Sequence, residues 1–511
     1  MKLWPAGPLY QALLAIAAAT AVAVGGYFVY RSWFADNPSC ATGVSKHGPQ
    51  NECVGVTDGT FSYGNNKLRK IFDLIRNENI LAEKAAKKAK SSPATIALMI
   101  PMTSGNPAEQ AEQVEQVKGA YLGQYHANHN AFTQPPIRLL LANPGRGYKQ
   151  WRVVADQLEK ATSDDHLRAV VGINISLPET KAAIGYLTRK HIPVVAGPMT
   201  ADDIANDKDH LHRYPGLARV APSNSDQADA LAFYSKDIKP AETMVIEDSR
   251  DGDNYLESLR KRFEKLAKGA TRAPETFISP PDFNDEGYLA NSFDQMVPDI
   301  CTSPAKTIYF AGRPVQLRQF LLELGERSCN KHYTVITGSH AATLTVDEKF
   351  TAHWDALTKS KGITLRYAAL AHPDAWGDNS TETTGGSKAA FQELTKQLPE
   401  AGARPSDLVD GRIIITYDAV VTAVKGIRMN AMDKVKMPSL AQVASSWPRL
   451  HGEKRVQGAS GWICLDQYGN PYNKAVAIVH LDPRKKTAVF DRITWPKHRA
   501  PDADCSILNE E

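Results

Sequence analysis

The stretch Thr95-Ile-Ala-Leu-Met-Ile-Pro-Met-Thr-Ser-Gly105 joins a short apolar run to a loop that carries hydroxyl side chains. Similar apolar runs recur along the chain and alternate with longer amphipathic stretches, a pattern that predicts strands separated by helices. The predicted strands are Thr95–Ile100, Ile137–Ala142, Ala169–Ile173, Pro193–Ala196, Thr243–Glu247, Thr307–Ala311, Tyr333–Thr337 and Ile363–Ala368. Such alternation is typical of parallel sheets covered by helices on both faces. Because the number of units exceeds that of one small sheet, the sequence predicts an α/β protein with two lobes.

The C-terminal part of the sequence does not follow this alternation of strands and helices. Gly461–Asp466 and Lys474–Leu481 alternate in the manner of antiparallel strands, and a turn that contains Gly469 and Pro471 separates them. They predict a hairpin on the edge of the second sheet.

Charge and length limit the classes of partner and the domain count. The chain has 511 residues, with 60 basic and 56 acidic side chains and a net charge of +4. This near balance gives no sign of a polyanion, so we expect no nucleic-acid partner. The length predicts about two or three domains with ordinary globular cores.

Residues 1–35 differ from the rest in composition. The 19 residues Ala12–Tyr30 carry no charge. As a helix they would span about 28 Å at ~1.5 Å per residue, close to the thickness of a hydrocarbon core. Aromatic residues, including Trp4 and Trp33, flank both ends, as is favoured at membrane interfaces. We therefore expect a single-pass N-terminal transmembrane helix in the cell membrane with the bulk of the chain extracytoplasmic. A cleaved signal peptide is the alternative.

The cysteines also indicate the compartment. The six are Cys40, Cys53, Cys301, Cys329, Cys464 and Cys505. An even number without C-x-x-C spacing predicts three disulfides in an oxidising compartment, and we expect neighbours to pair as 40–53, 301–329 and 464–505. The alternative is that they are reduced and buried as small apolar residues. Residues 36–92 are then predicted to be a disulfide-closed linker and a helix, and residues 497–511 a C-terminal tail.

Candidate ligand-binding residues follow the predicted strands of the first lobe. In open parallel sheets, ligands bind where loops converge at the carboxyl ends of strands. These loops lead into helices, whose free backbone N–H groups attract carboxylates. The candidates are Thr103, Ser104, Asn174, Ser176, Pro198, Met199 and Thr200. Taken one at a time, the hydroxyl residues are also explained as helix caps. As a set they predict a small polar ligand.

The second lobe offers Asp251, Arg313, Ser339 and His340 at equivalent positions, and these side chains suit a hydrogen-bonding ligand. No hydrolase, nucleotide-binding or zinc motif is present, so we expect no catalytic residue, metal or cofactor. A hydrolase would need a facing nucleophile and base. Ser339 and His340 are the one candidate pair, and adjacent residues rarely face each other.

Several motifs together resemble those of the type I periplasmic binding proteins, a family that includes the branched-chain amino acid receptors of ABC transporters. The similarity covers about residues 93–485 and rests on the order and spacing of motifs that are each weak alone. The matching segments are Thr95–Gly105, Val170–Gly172 with Ser176 and Thr180, His191–Val195 with Thr200, Tyr214–Pro222, Met244–Gly252, Gly411–Lys425 and Gly458–Gly469.

The resemblance implies two Rossmann-like lobes that are joined by three crossovers and close on a ligand in the cleft. Lobe 1 would hold residues 93–219 and 363–445, and lobe 2 residues 220–362 and 446–496. Ser176 and Thr200, with backbone of Pro198 or Met199, would hold an amino acid head group. Asp251 stands where the family has tyrosine, Arg313 stands near an expected aromatic, and no acid stands near His340. These departures put an amino acid ligand in question.

The expected function is that of a membrane-anchored solute-binding protein and not an enzyme. It would close around a small polar ligand, amino acid-like or related, and serve an ABC permease or a sensor partner. The alternative is a structural, assembly or partner-binding protein that keeps the fold and has lost the ligand cleft.

Overall fold

The computed structural model describes residues 39–130, 134–211, 213–431, 437–502 and 505. The expected transmembrane helix within residues 1–35 lies outside the described residues. In the described part of the chain, no helix is both long enough and apolar enough to cross a membrane.

Lobe 1 is built on an eight-stranded sheet. Its strands are β1 (Ser39–Ala41), β2 (Val44–His47), β3 (Glu52–Thr57), β4 (Ala94–Met99), β5 (Ile137–Asn143), β6 (Leu167–Gly172), β7 (Val194–Ala196) and β8 (Leu217–Arg219), in the order β1-β2-β3-β5-β4-β6-β7-β8. The five strands from β5 to β8 run parallel. Every residue of β4 is buried, which is why the chain reads there as an unbroken apolar run.

The segment predicted as a disulfide-closed linker is folded into this sheet. Strands β1 to β3 form an antiparallel meander, and Gly55 of β3 pairs with Asn143 of β5. The strands are short and contain polar residues, so they lack a strong apolar pattern. Burial of Val44 and Val54 anchors them. The linker prediction was therefore wrong for this segment.

Lobe 2 is built on a seven-stranded sheet, and a small third sheet lies apart from it. The strands are β9 (Thr243–Asp248), β10 (Glu275–Phe277), β11 (Thr307–Ala311), β12 (Tyr333–Thr337), β13 (Ile363–Ala369), β14 (Val456–Gly458), β15 (Gly461–Ile463), β16 (Val476–Asp482) and β17 (Thr487–Thr494). The large sheet has the order β10-β9-β11-β12-β13-β16-β17, and β14 pairs only with β15.

Two placements differ from the sequence analysis. Strand β13, expected in lobe 1, continues the parallel ladder of β12 through pairs such as Tyr333 with Ile363, so the chain leaves lobe 2 only after it. The expected hairpin of 461–466 with 474–481 does not form. Instead β15 pairs with β14, while β16 pairs with β13 and β17, because β17 supplies the adjacent antiparallel partner.

The helices cover both sheets. They are α1 (Arg69–Lys88), α2 (Pro107–His129), α3 (Trp151–Asp164), α4 (Pro178–Arg189), α5 (Asn224–Tyr234), α6 (Asn254–Leu266), α7 (Leu289–Thr302), α8 (Pro314–Gly325), α9 (Glu348–Thr351), α10 (Pro373–Trp376), α11 (Lys388–Gln397), α12 (Arg412–Met429) and α13 (Leu440–Ala444). Helix α12 packs closely along α2 in lobe 1. Gly119 and Gly123 permit this approach, since a Cβ on Gly119 would lie 2.4 Å from the Ile413 carbonyl oxygen.

The chain passes between the lobes three times: after β8, between β13 and α12, and between β15 and β16. Two buried charged residues, Asp418 and Lys474, lie at the third passage. Asp418 of α12 accepts hydrogen bonds from the backbone N–H groups of Ala459 (2.7 Å) and Ser460 (2.9 Å). Lys474 Nζ donates to the Ser460 carbonyl at 3.2 Å. Burial raises the pKa of Asp418 and lowers the pKa of Lys474 to about 8.

All three expected disulfides are present, as Cys40–Cys53, Cys301–Cys329 and Cys464–Cys505, so the predicted pairing is confirmed. The first ties β1 to β3 across the meander. The second joins the end of α7 to the loop before β12, both in lobe 2.

Candidate functional site

The carboxyl ends of the parallel strands in both sheets meet at a cleft between the lobes. The cleft encloses a cavity of about 80 Å³. Its polar lining from lobe 1 is Asn106, Glu109, Glu112, Gln116, Asn174, Asp410 and Arg412, and that from lobe 2 is Asn284, Arg313, Ser339, His340, Thr343 and Asp347. A smaller inner pocket of about 30 Å³ and an outer groove of about 560 Å³ adjoin it.

Five of the residues predicted from strand ends line the main cavity: Asn174, Pro198, Arg313, Ser339 and His340. Two more lie beside it. Thr103 lines the inner pocket and donates to Glu52, and Ser104 lines the outer groove and donates to Glu109.

The remaining candidates lie away from the cavity lining. Ser176 reaches the site through its backbone carbonyl, while its hydroxyl accepts from the Ala201 N–H. Met199 and Thr200 are buried behind the cleft. Asp251 is exposed and lines none of the three cavities, whereas Asp253, two residues further on, is buried and pairs with Arg313.

Arg313 is the central side chain of the lobe 2 wall. It follows β11 and is only 1% exposed. Its Nε and Nη2 donate to the two carboxylate oxygens of Asp253 at 3.0 and 2.8 Å, a bidentate pair. Nη2 also donates to the Ser176 carbonyl of lobe 1 at 3.3 Å. Arg313 thus bridges the lobes with its charge already balanced.

His340 completes this wall. Its ring stacks on Tyr255 with the centroids 4.3 Å apart. Burial, and then the neighbouring Arg313, hold the pKa of His340 well below its usual range, so the imidazole is neutral. Nδ1 lies 3.0 Å from Arg313 Nη1 and accepts its hydrogen bond, which leaves the ring proton on Nε2.

The opposite wall is acidic and comes from α2. Glu112 accepts hydrogen bonds from Arg412 Nη2 and from the Thr343 hydroxyl of lobe 2, both at 2.6 Å. Arg412 also pairs with Asp410 at 2.9 Å. Burial raises the pKa of Glu112. Two carboxylates therefore share one guanidinium at the edge of the cavity.

Two buried polar groups on the lining have oxygen atoms that no described residue hydrogen-bonds. They are Gln116 Oε1 of α2, on a residue 2% exposed, and Ser339 Oγ of lobe 2, on a residue 3% exposed. An unsatisfied buried polar group costs about 1–3 kcal/mol, so most are paired in folded proteins. These two oxygens are therefore candidate hydrogen-bond acceptors for a ligand in the cavity.

A loop of lobe 2, residues 278–288, closes the mouth of the cleft. Asn284 Nδ2 donates to Glu109 Oε1 of lobe 1 at 2.7 Å, and the Phe283 ring lies 5.1 Å from the Arg313 guanidinium. Arg250 Nη1 holds the loop through the Pro280 carbonyl at 2.8 Å. The loop, called the lid below, joins the lobes through the hydrogen bond of Asn284 to Glu109.

Glu115 gives the acidic wall a testable pH dependence. Burial, and then Asp410, raise its pKa to about 10, so the folded protein keeps this carboxyl protonated at neutral pH. The unfolded chain ionises it above about pH 4.3. The folded state therefore loses relative stability as the pH rises from about 5 to 9, by up to about 1.4 kcal/mol per pH unit.

Replacing Glu115 by glutamine should remove this slope, because the amide stays neutral and still hydrogen-bonds. Urea denaturation at pH 5, 7 and 9 measures the difference, which should favour E115Q increasingly as the pH rises. Equal stability differences at all three pH values would contradict the assignment.

No protein-family model matches the sequence, and no curated protein matches it in sequence. Solved structures do match. The leucine-binding protein LivK of Thermotoga maritima superposes with a TM-score of 0.57 at 14% identity, over 78% of this chain and 98% of that chain. LivJ of Streptococcus pneumoniae, solved with isoleucine, gives 0.57 at 14% identity, over 79% and 100%.

A solute-binding protein of an ABC transporter from Rhodopseudomonas palustris, in complex with p-hydroxybenzoic acid, gives a TM-score of 0.55 at 13% identity, over 81% of this chain and 98% of that chain. These neighbours are described as binding or transport proteins. At such identities the likeness establishes the fold. The described chain therefore has the type I periplasmic-binding fold expected from its motifs.

Proposed function

We propose that this chain is an extracytoplasmic solute-binding protein whose two lobes close around a small polar ligand. The observation that carries the proposal is the convergence of polar side chains from both lobes on one buried cavity at the strand ends. Two of these, Gln116 and Ser339, have unpartnered oxygens. Ligand binding would stabilise the closed arrangement, as in hinge-closing proteins generally.

The setting of the protein is part of the proposal. Three disulfides suit an oxidising compartment outside the cytoplasm. The uncharged segment Ala12–Tyr30 would tether the chain to the membrane. A membrane tether would keep the binding lobes close to an ABC permease or a sensor partner, which would read the closed state.

One observation favours a second candidate function, that of a partner-binding or assembly protein with a locked cleft. The lobes are already joined by side chains of the protein itself. The bridges are Arg313 to the Ser176 carbonyl, Thr343 to Glu112, Asn284 to Glu109 and Asn254 to Asp203. In this alternative the contacts hold one fixed shape, and a partner recognises the outer surface.

A thermal-shift screen separates the two functions. The panel contains amino acids, small carboxylates, hydroxybenzoates, nucleosides and small amines. A ligand at about one hundred times its Kd adds about 2.7 kcal/mol to the free energy of unfolding, so a true ligand raises Tm. The control is S339L, which fills the cavity and should abolish the shift. No shift for any compound would contradict the solute-binding function and favour the locked cleft.

A further inference from the structure

Resting on the proposed solute-binding function, we infer that the cavity selects a small positively charged amine whose N–H groups donate to Gln116, Ser339 and the carboxylates of α2. The inference names the ligand class of the cleft. It rests on three features of the described residues: the balance of charge, the unpartnered acceptors, and the size of the cavity.

The basic groups on the cavity wall are already occupied. Arg313 has five N–H donors, and four of them are used, by Asp253 twice, by His340 and by the Ser176 carbonyl. Arg412 is bound by Asp410 and Glu112. An incoming carboxylate would therefore find a single free donor on Arg313 and would face the acidic wall.

The acidic groups are less fully balanced. Glu109 accepts hydrogen bonds only from the neutral groups of Ser104 and Asn284 among the described residues, at 2.5 and 2.7 Å. Glu112 shares its one cationic partner, Arg412, with Asp410. Carboxylates thus outnumber available cations around the cavity, and a cationic ligand would be attracted there.

The unpartnered acceptors indicate where the positively charged group of the ligand would lie. Gln116 comes from lobe 1 and Ser339 from lobe 2, and both line the same cavity. An ammonium group has three N–H donors and no acceptor. It would satisfy both oxygens while it lies beside Glu112, so that one ligand group links the two lobes. This arrangement explains how an amine would favour closure.

The size of the cavity limits the ligand. The enclosed volume is about 80 Å³, whereas an engineered apolar cavity that binds benzene has a volume of about 150 Å³. With the lid closed and Arg313 in place, the site suits a ligand of about four or five non-hydrogen atoms. Ethanolamine, with four non-hydrogen atoms, has this size, and ethylammonium, with three, is slightly smaller.

Isothermal titration calorimetry of the full chain tests the inference with four probes of similar size: ethylammonium, ethanolamine, acetamide and acetate. The two cations should bind at least about tenfold more tightly than acetamide, a difference of ~1.4 kcal/mol, and acetate should give no heat. The variants E109Q and Q116L should each weaken cation binding about tenfold or more. The control E326Q makes the same change as E109Q at an exposed carboxylate of lobe 2 and should leave binding unchanged. Circular dichroism establishes that each variant is folded.

Three outcomes would overturn the inference. Tighter binding of acetamide or acetate than of the cations would refute the charge argument and leave the proposed function standing. Cation binding that survives both E109Q and Q116L would lie outside this cavity. No heat with any probe would overturn the amine class, and only a parallel failure of the broad thermal-shift screen would also remove the solute-binding function.

Discussion

Replacement of Asp418 by alanine is expected to lower the free energy of unfolding by about 3–5 kcal/mol, since it removes the negative member of a pair of buried charged residues, Asp418 and Lys474, and leaves the other uncompensated. The Asp418 carboxylate accepts the backbone N–H groups of Ala459 and Ser460 and balances the charge of Lys474. Lys474 is 2% exposed, so its ammonium would be left buried without a counter-charge. The contacts of Asp418 join α12 to the third passage between the lobes. Loss of this carboxylate should therefore destabilise both the helix and the passage.

Urea denaturation followed by circular dichroism measures this loss. The double variant D418N/K474M should recover part of it, because the asparagine oxygen can still accept a backbone N–H and no charge is left unpaired. The control D294A removes an exposed aspartate of α7 and should change stability by less than about 0.5 kcal/mol. A loss below about 1 kcal/mol in D418A would show that the pair is not an important part of the fold.

The second large effect is expected at Arg313, where alanine should open the cleft. Its guanidinium holds the Ser176 carbonyl of the other lobe. A hydrogen bond to a charged group is worth about 1.5–3 kcal/mol, so its loss should shift the equilibrium between closed and open states about 10- to 100-fold. Small-angle X-ray scattering should then report a larger radius of gyration for R313A than for the wild type.

Arg250 provides a matched control for this change. It also donates to Asp253, at 3.0 Å, but its other contacts, to Pro280 and Pro281, stay within lobe 2. R250A should therefore alter the lid locally without separating the lobes. Identical scattering curves for R313A and the wild type would show that Arg313 does not hold the cleft closed.

The central strands were predicted from the sequence to within two residues at each end. Strands β4 and β11 are buried along their whole length and β6 at every residue except Arg168, so their apolar runs are nearly continuous. Strands β1, β8 and β10 were missed because each has three residues, too few to show a period. The sheet that receives β13 was predicted wrongly because an apolar run does not reveal which lobe it joins.

The site residues also fall into those that the sequence predicted and those that it did not. Strand-end reasoning located Asn174, Arg313 and His340, because the carboxyl ends of parallel strands are fixed by the fold. It missed Glu112 and Gln116, which lie on α2 and reach the cavity only because lobe 2 closes over that helix. The available signal was their spacing of four residues, which places both on one face of a helix.

The central claim is that the cleft holds a small ligand, and a crystal structure of the wild type grown with the compound that raises Tm most would test it directly. We expect electron density for that compound inside the cavity, within hydrogen-bonding distance of Gln116 and Ser339. The lobes should be closed over it with the Asn284–Glu109 bridge intact. An empty cavity with the compound bound on the outer surface would show that the cleft is not the binding site.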